Sequence, residues 1–151
     1  MTLFSRRKIL QISAATAALS PLPLRAASRR VSANSAGVAI DGYDTMAYWQ
    51  LASAQMGAAT HTASWRGVTW QFSSQQNADV FGSTPSKFTP QFGGFCTRAM
   101  SFGKVVDGDP EVWRIYKDKL YLFARPVGGE KFDKGQDTMI AKAETHWQTL
   151  A

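Results

Sequence analysis

The segment from Thr60 to Ser73 constrains this chain more than any other. Thr60 to Trp65 and Val68 to Ser73 flank Arg66-Gly67, a two-residue turn that fixes the register of both strands. Trp65 then faces Val68, Ala63 faces Trp70 and His61 faces Phe72. All six share one side, while Thr62, Ser64, Thr69 and Gln71 share the other. An apolar face backed by a hydroxyl-rich one is a half-buried antiparallel hairpin, and it needs a second layer to cover it.

The rest of the chain supplies that layer. Asp44 is placed to cap a short helix through Leu51, with Met46, Ala47 and Leu51 facing inward. Ser73 or Ser74 caps a helix that buries Val80 and Phe81 and stops by Thr84, ahead of Pro85. A short helix over Phe95 to Ser101 sets Cys96 and Met100 one turn apart, and Gly103 ends it. Trp113 to Tyr116 and Leu120 to Phe123 read as a second hairpin around Lys117-Asp118-Lys119. Asp137 caps a last helix to about Thr149, with Ile140, Ala143 and Trp147 at helical spacing. No internal repeat stands out. The expected fold is a small single α+β domain: a short antiparallel sheet built from two β-hairpins, with helices packed on one face.

The first 27 residues read as a leader rather than as fold. Ser5-Arg6-Arg7-Lys8-Ile9-Leu10 is a twin-arginine pattern, followed by an Ala- and Leu-rich stretch and a small-residue site at Ala26-Ala27. The expectation is export to the periplasm, with no stable membrane anchor after cleavage. Residues 28–36 read as a flexible tether and 37–151 as the domain. The formal charge of +6 is largely the leader's, since Arg6, Arg7, Lys8 and Arg25 belong to it. Without those four, 13 basic residues stand against 11 acidic ones, scattered and without a stripe, so nucleic acid is not an expected partner. Cys96 is the single cysteine, so no intrachain disulfide forms and packing alone stabilises the domain.

Several runs together resemble the YHS domain, in its small exported form. They are Ile40-Asp41-Gly42-Tyr43-Asp44-Thr45-Met46-Ala47-Tyr48-Trp49, Trp65 through Ser74, Asn77, Phe81 and Pro85-Ser86-Lys87-Phe88. Pro90 through Cys96, Gly108-Asp109-Pro110, Trp113 and Lys119-Leu120-Tyr121-Leu122 complete the likeness, which spans Gly37 to Trp147. The resemblance implies a scaffold that in metal-handling relatives binds copper or other heavy metals. There the ligands are cysteines near the domain start, just before the helix after the hairpin, and inside it. Here Ser73 and Asn77 stand at two of these positions, and no cysteine occurs around Asp41 to Thr45. Hydroxyl and amide are poor ligands for soft metals.

Cys96 and Met100, with Met46 or His61 as a third donor, form the candidate metal set, with copper(I) as the ion. The competing reading of Cys96 is a small buried hydrophobe beside Phe92 and Phe95. Asp41 and Asp44 fit turn and cap chemistry, and Asp107, Asp109 and Glu111 do not complete a calcium loop. Three functions compete: a non-catalytic binding module for a metal or small ligand, a module that docks on a periplasmic protein partner, and an enzyme with Cys96 as nucleophile and His61 or His146 as base. No signature around Cys96 supports the third. Of Tyr48 and Trp49, only one can face inward on so short a helix, leaving the other to border a surface pocket.

Overall fold

The computed structural model describes residues 30–150, so the leader 1–27 lies outside the described residues. The fold is α+β. Its elements run α1 (Thr45–Leu51), β1 (Ala58–Trp65), β2 (Val68–Phe72), α2 (Gln75–Ser83), α3 (Pro85–Phe88) and α4 (Thr97–Met100). They continue with β3 (Asp109–Tyr116), β4 (Lys119–Phe123), α5 (Pro126–Phe132) and α6 (Gln136–Thr149).

Both hairpins form, as two separate two-stranded antiparallel sheets rather than one sheet. Arg66 and Gly67 have φ of 51° and 75°, and Lys117 and Asp118 have 48° and 56°. Two successive positive-φ residues give the turn whose twist matches that of the strands it joins. Trp65 pairs with Val68 and Ala63 with Trp70 as the turn dictates, but Phe72 pairs with Ala58, not His61. A β-bulge between Ala58 and Thr62 takes up the extra residues and moves His61 off that register. The second turn is likewise two residues long, since Lys119 belongs to β4 and pairs with Tyr116.

Apolar side chains lie on both sides of β4, not one. Leu120 and Leu122 join a core with Tyr48, Trp70, Phe72 and Phe81. Tyr121 and Phe123 join a second core with Phe92, Phe95, Cys96, Met100 and Phe132. Successive residues of a strand point to opposite faces, so four apolar residues in a row serve two cores at once. Helices therefore cover more than one face.

The chain is built as a structural repeat, which the sequence does not announce. In the first half Ile40, Asp41 and Gly42 all have positive φ; in the second, Phe92, Gly93 and Gly94 do. The N–H of Gly57 donates to the carbonyl of Gly42, and that of Gly108 to Gly94. The N–H of Asp44 donates to Gln55, and that of Cys96 to Val106, each at 2.8 Å. Isolated bridges join Tyr43 to Met56 and Phe95 to Asp107. Each half then runs a short helix, an eight-residue strand, a two-residue turn, a five-residue strand with the bulge in the same place, and a helix after two more residues. A Cβ on Gly57 would sit 2.4 Å from the backbone of Gln71, and one on Gly108 would sit 2.5 Å from the oxygen of Gly94. Both positions thus require glycine, for the same close backbone approach.

Other details depart from the sequence reading. Leu51 is 58% exposed because α1 ends there, at a left-handed Ala52. Val80 is also exposed, while Phe81 beneath it is fully buried. Residues 30–36 are no free tether: Val31, Ser32 and Ala33 are buried, and the N–H of Ser32 donates to Gly93. α4 is shorter than expected, with Cys96 as its cap, and α6 begins after Gly135 rather than at an Asp137 cap.

Candidate functional site

Asp44 is fully buried at the start of α1, and no cation pairs with it among the described residues. Its carboxylate is held by donors instead. Oδ1 accepts from the N–H of Met46 at 2.8 Å. Oδ2 accepts from the N–H of Ser73 at 2.8 Å, its hydroxyl at 2.7 Å and Asn77 Nδ2 at 2.9 Å. Gln50 Nε2 donates to Asn77 Oδ1 at 3.0 Å and closes the cluster from outside. A buried carboxylate is tolerable only when its lone pairs are matched in this way. The cluster ties α1 to the β2–α2 junction.

Ser73 and Asn77 do converge, and the third member is the carboxylate of Asp44. This donor set is hard and its members are bonded to one another, so it does not fit a soft metal ion.

Cys96 holds the matching place in the second half. It caps α4, and its Sγ accepts from the N–H of Ala99 at 3.4 Å. Counting from the caps and strand ends, Ala124 replaces Ser73, Gly128 replaces Asn77 and Phe102 replaces Gln50. With those side chains cut back or turned apolar, no cluster of the described residues fills the space. A cavity of about 210 Å³ remains, lined by Cys96, Arg98, Ala99, Phe102, Ala124, Arg125, Val127 and Gly128. A Cβ on Gly128 would lie 3.0 Å from Phe123 Cβ, so the cavity floor is tight against the second core. Neither arginine forms an ion pair among the described residues, and Arg98 stacks on Phe102.

The candidate metal residues divide between regions. Cys96 and Met100 share the second core, Met46 belongs to the first, and His61 belongs to neither. Among the described residues no group of three His, Cys, Asp or Glu side chains could hold a metal ion. Among the described residues no histidine lines the cavity at Cys96; the His146 ring lies against Gly103 instead. The acids near β3 are each engaged separately. Asp107 accepts from Ser32, Glu111 from Tyr43, and Asp109 from the N–H of Glu111. Glu111 thereby raises the Tyr43 pKa.

Of Tyr48 and Trp49, Tyr48 faces inward and Trp49 is only partly buried. Tyr48 is buried and donates to the carbonyl of Pro110, while Trp49 packs edge-on against Phe88. They border a wide shallow depression with Trp113. Arg98, Phe102, Ala124, Arg125 and Gly128 escaped the sequence reading. Only an alignment of the two halves would have found them, and too few residues are shared to prompt one.

The chain matches no protein-family model, no curated protein and no solved structure.

Proposed function

We propose that this chain is an exported, non-catalytic binding module on a YHS-like scaffold, and that it recognises its ligand through the cavity over Cys96. The observation that carries this reading is the contrast between the halves. The scaffold closes the Asp44 position with hydrogen-bonded side chains, yet leaves an apolar cavity, bordered by arginine, over the buried Cys96. A concave apolar site with a few polar groups at its edge is the usual form of a recognition site. The twin-arginine pattern at Ser5 to Leu10 supports export to the periplasm.

Catalysis is not part of the proposal. Among the described residues no acid or histidine lines the cavity to serve Cys96 as base. Copper binding at Cys96 and Met100 is the weaker reading, because the proposed third donors, Met46 and His61, lie outside the core that holds these two sulfurs.

Titration of the ¹⁵N-labelled protein with indole tests the recognition site. Saturable amide shifts at Cys96, Ala99, Ala124 and Gly128 are expected. Their absence, or shifts spread over both cores, would overturn the reading.

A further inference from the structure

We infer that the occupant of this cavity is a protein segment that inserts one large apolar side chain and carries acidic residues beside it. This rests on the reading of the cavity as a recognition site, and adds the partner's chemistry.

Size is the first argument. The cavity, at about 210 Å³, falls below the range of roughly 300–1,000 Å³ typical of small-molecule sites. It suits a single aromatic or branched side chain, the usual anchor of a protein interface.

The rim is the second. Phe102 is 65% exposed, and Val105, Val106 and Val127 are exposed with it. Phe102 and Val127 line the cavity itself, and Val106 is tied to Cys96 through its carbonyl, so exposed apolar residues continue along the chain from the cavity. An anchor pocket beside exposed apolar residues, with charge at its edge, is the anatomy of a docking surface.

The fold itself does not ask for these residues. Gln50, Gln55 and Gln76 hold the same counts in the first half as Phe102, Val106 and Val127 in the second. The same scaffold therefore accepts polar side chains there, and the apolar rim has no structural cause among its backbone requirements.

Charge selects the partner. Arg98 and Arg125 line the cavity without acidic partners among the described residues, and no acid lines it. Lys104 is exposed between Phe102 and Val105. Asp107, the nearest acid along that loop, is hydrogen-bonded to Ser32. A rim of one sign favours a partner of the other, mainly through association rate.

The test is titration of the ¹⁵N-labelled protein with acetyl-Asp-Glu-Leu-Phe-Glu-Asp-amide. Two control peptides replace Leu-Phe by Ala-Ala or all four acids by lysine. The acidic Leu-Phe peptide should shift Cys96, Ala99, Phe102, Ala124 and Gly128, at least tenfold more tightly than either control. Lys104→Glu, an exposed change outside the cavity lining, should weaken it several-fold while leaving indole binding intact, and Arg125→Glu at the cavity edge should weaken it at least as much. Equal response to the lysine peptide, or none, overturns the inference. If indole still binds in that case, the recognition site stands without the docked segment; if indole fails as well, both fall. Shifts of the same residues on raising protein concentration alone would also overturn it, naming a second copy of the chain as occupant.

Discussion

Asp44 and Cys96 occupy one position in a repeated fold. Each caps the first helix of its half, and each receives a backbone contact through that cap. Each also donates its own N–H to a carbonyl in the loop that leads into its hairpin, that of Gln55 or Val106. What differs is the setting. Around Asp44 the fold supplies Ser73 and Asn77; around Cys96 it supplies Ala124 and Gly128 and leaves room.

The Asp44 cluster is predicted to be a stability centre. Asp44→Ala removes a helix cap and strands the donors of Ser73 and Asn77, costing about 2–4 kcal/mol. Asp44→Asn should cost less, since it keeps an acceptor oxygen. Urea unfolding of the two variants measures the order; equal and negligible losses would contradict it.

The Cys96 position should reject what Asp44 accepts. Cys96→Asp places a carboxylate where no hydroxyl or amide side chain waits and only the arginines at the cavity edge offset its burial, at a net cost of about 2 kcal/mol. Ala124→Ser should be near neutral alone, yet restore about 1 kcal/mol to Cys96→Asp. A double-mutant cycle with no coupling would mean that the two halves are not equivalent at this point.

The hairpins and the α+β class were legible because turn chemistry and alternation act locally. Arg66-Gly67 set the upper part of its register correctly. The bulge that moved His61 was not legible, since Ala58 pairs with Phe72 beside the close approach of Gly57 to the Gln71 backbone, a contact between residues distant in the chain. The double duty of β4 was visible only as an unbroken apolar run, which does not say how many cores it serves. The repeat was hidden because the halves share little beyond Gly42, Thr45, Ala47, Gly57, Phe72 and Phe81, matched by Gly94, Thr97, Ala99, Gly108, Phe123 and Phe132. Those are the positions that backbone approach and core packing restrict. The polar residues around Asp44 differ from their counterparts, so Cys96 looked isolated.

Alkaline pH should destabilise the fold through its buried phenols. Burial raises Tyr121 from 10.0 to about 12, and raises Tyr48 as well. The neutral phenol is the form the fold favours, so this stabilisation is fully present below pH 10. Above pH 10 the unfolded chain ionises first, and the stabilisation is lost as pH rises towards the folded value. The urea midpoint should fall between pH 9 and pH 11, less steeply in Tyr121→Phe. Parallel slopes would contradict the assignment.

Metal content separates the proposed reading from the copper one. The protein purified without a metal-affinity tag should carry the same trace copper as Cys96→Ser, far below one equivalent. One equivalent in the wild type and none in the variant would re-establish a thiolate site.

The most direct measurement uses the single thiol as a reporter of its cavity. Native protein is treated with two methanethiosulfonates of similar size, one ending in a sulfonate and the other in a trimethylammonium group. An open cavity with Arg98 and Arg125 at its edge predicts that Cys96 reacts in the folded state, several-fold faster with the anion at low salt. Added salt should narrow that gap. A thiol that reacts only on global unfolding, or faster with the cation, would contradict the account.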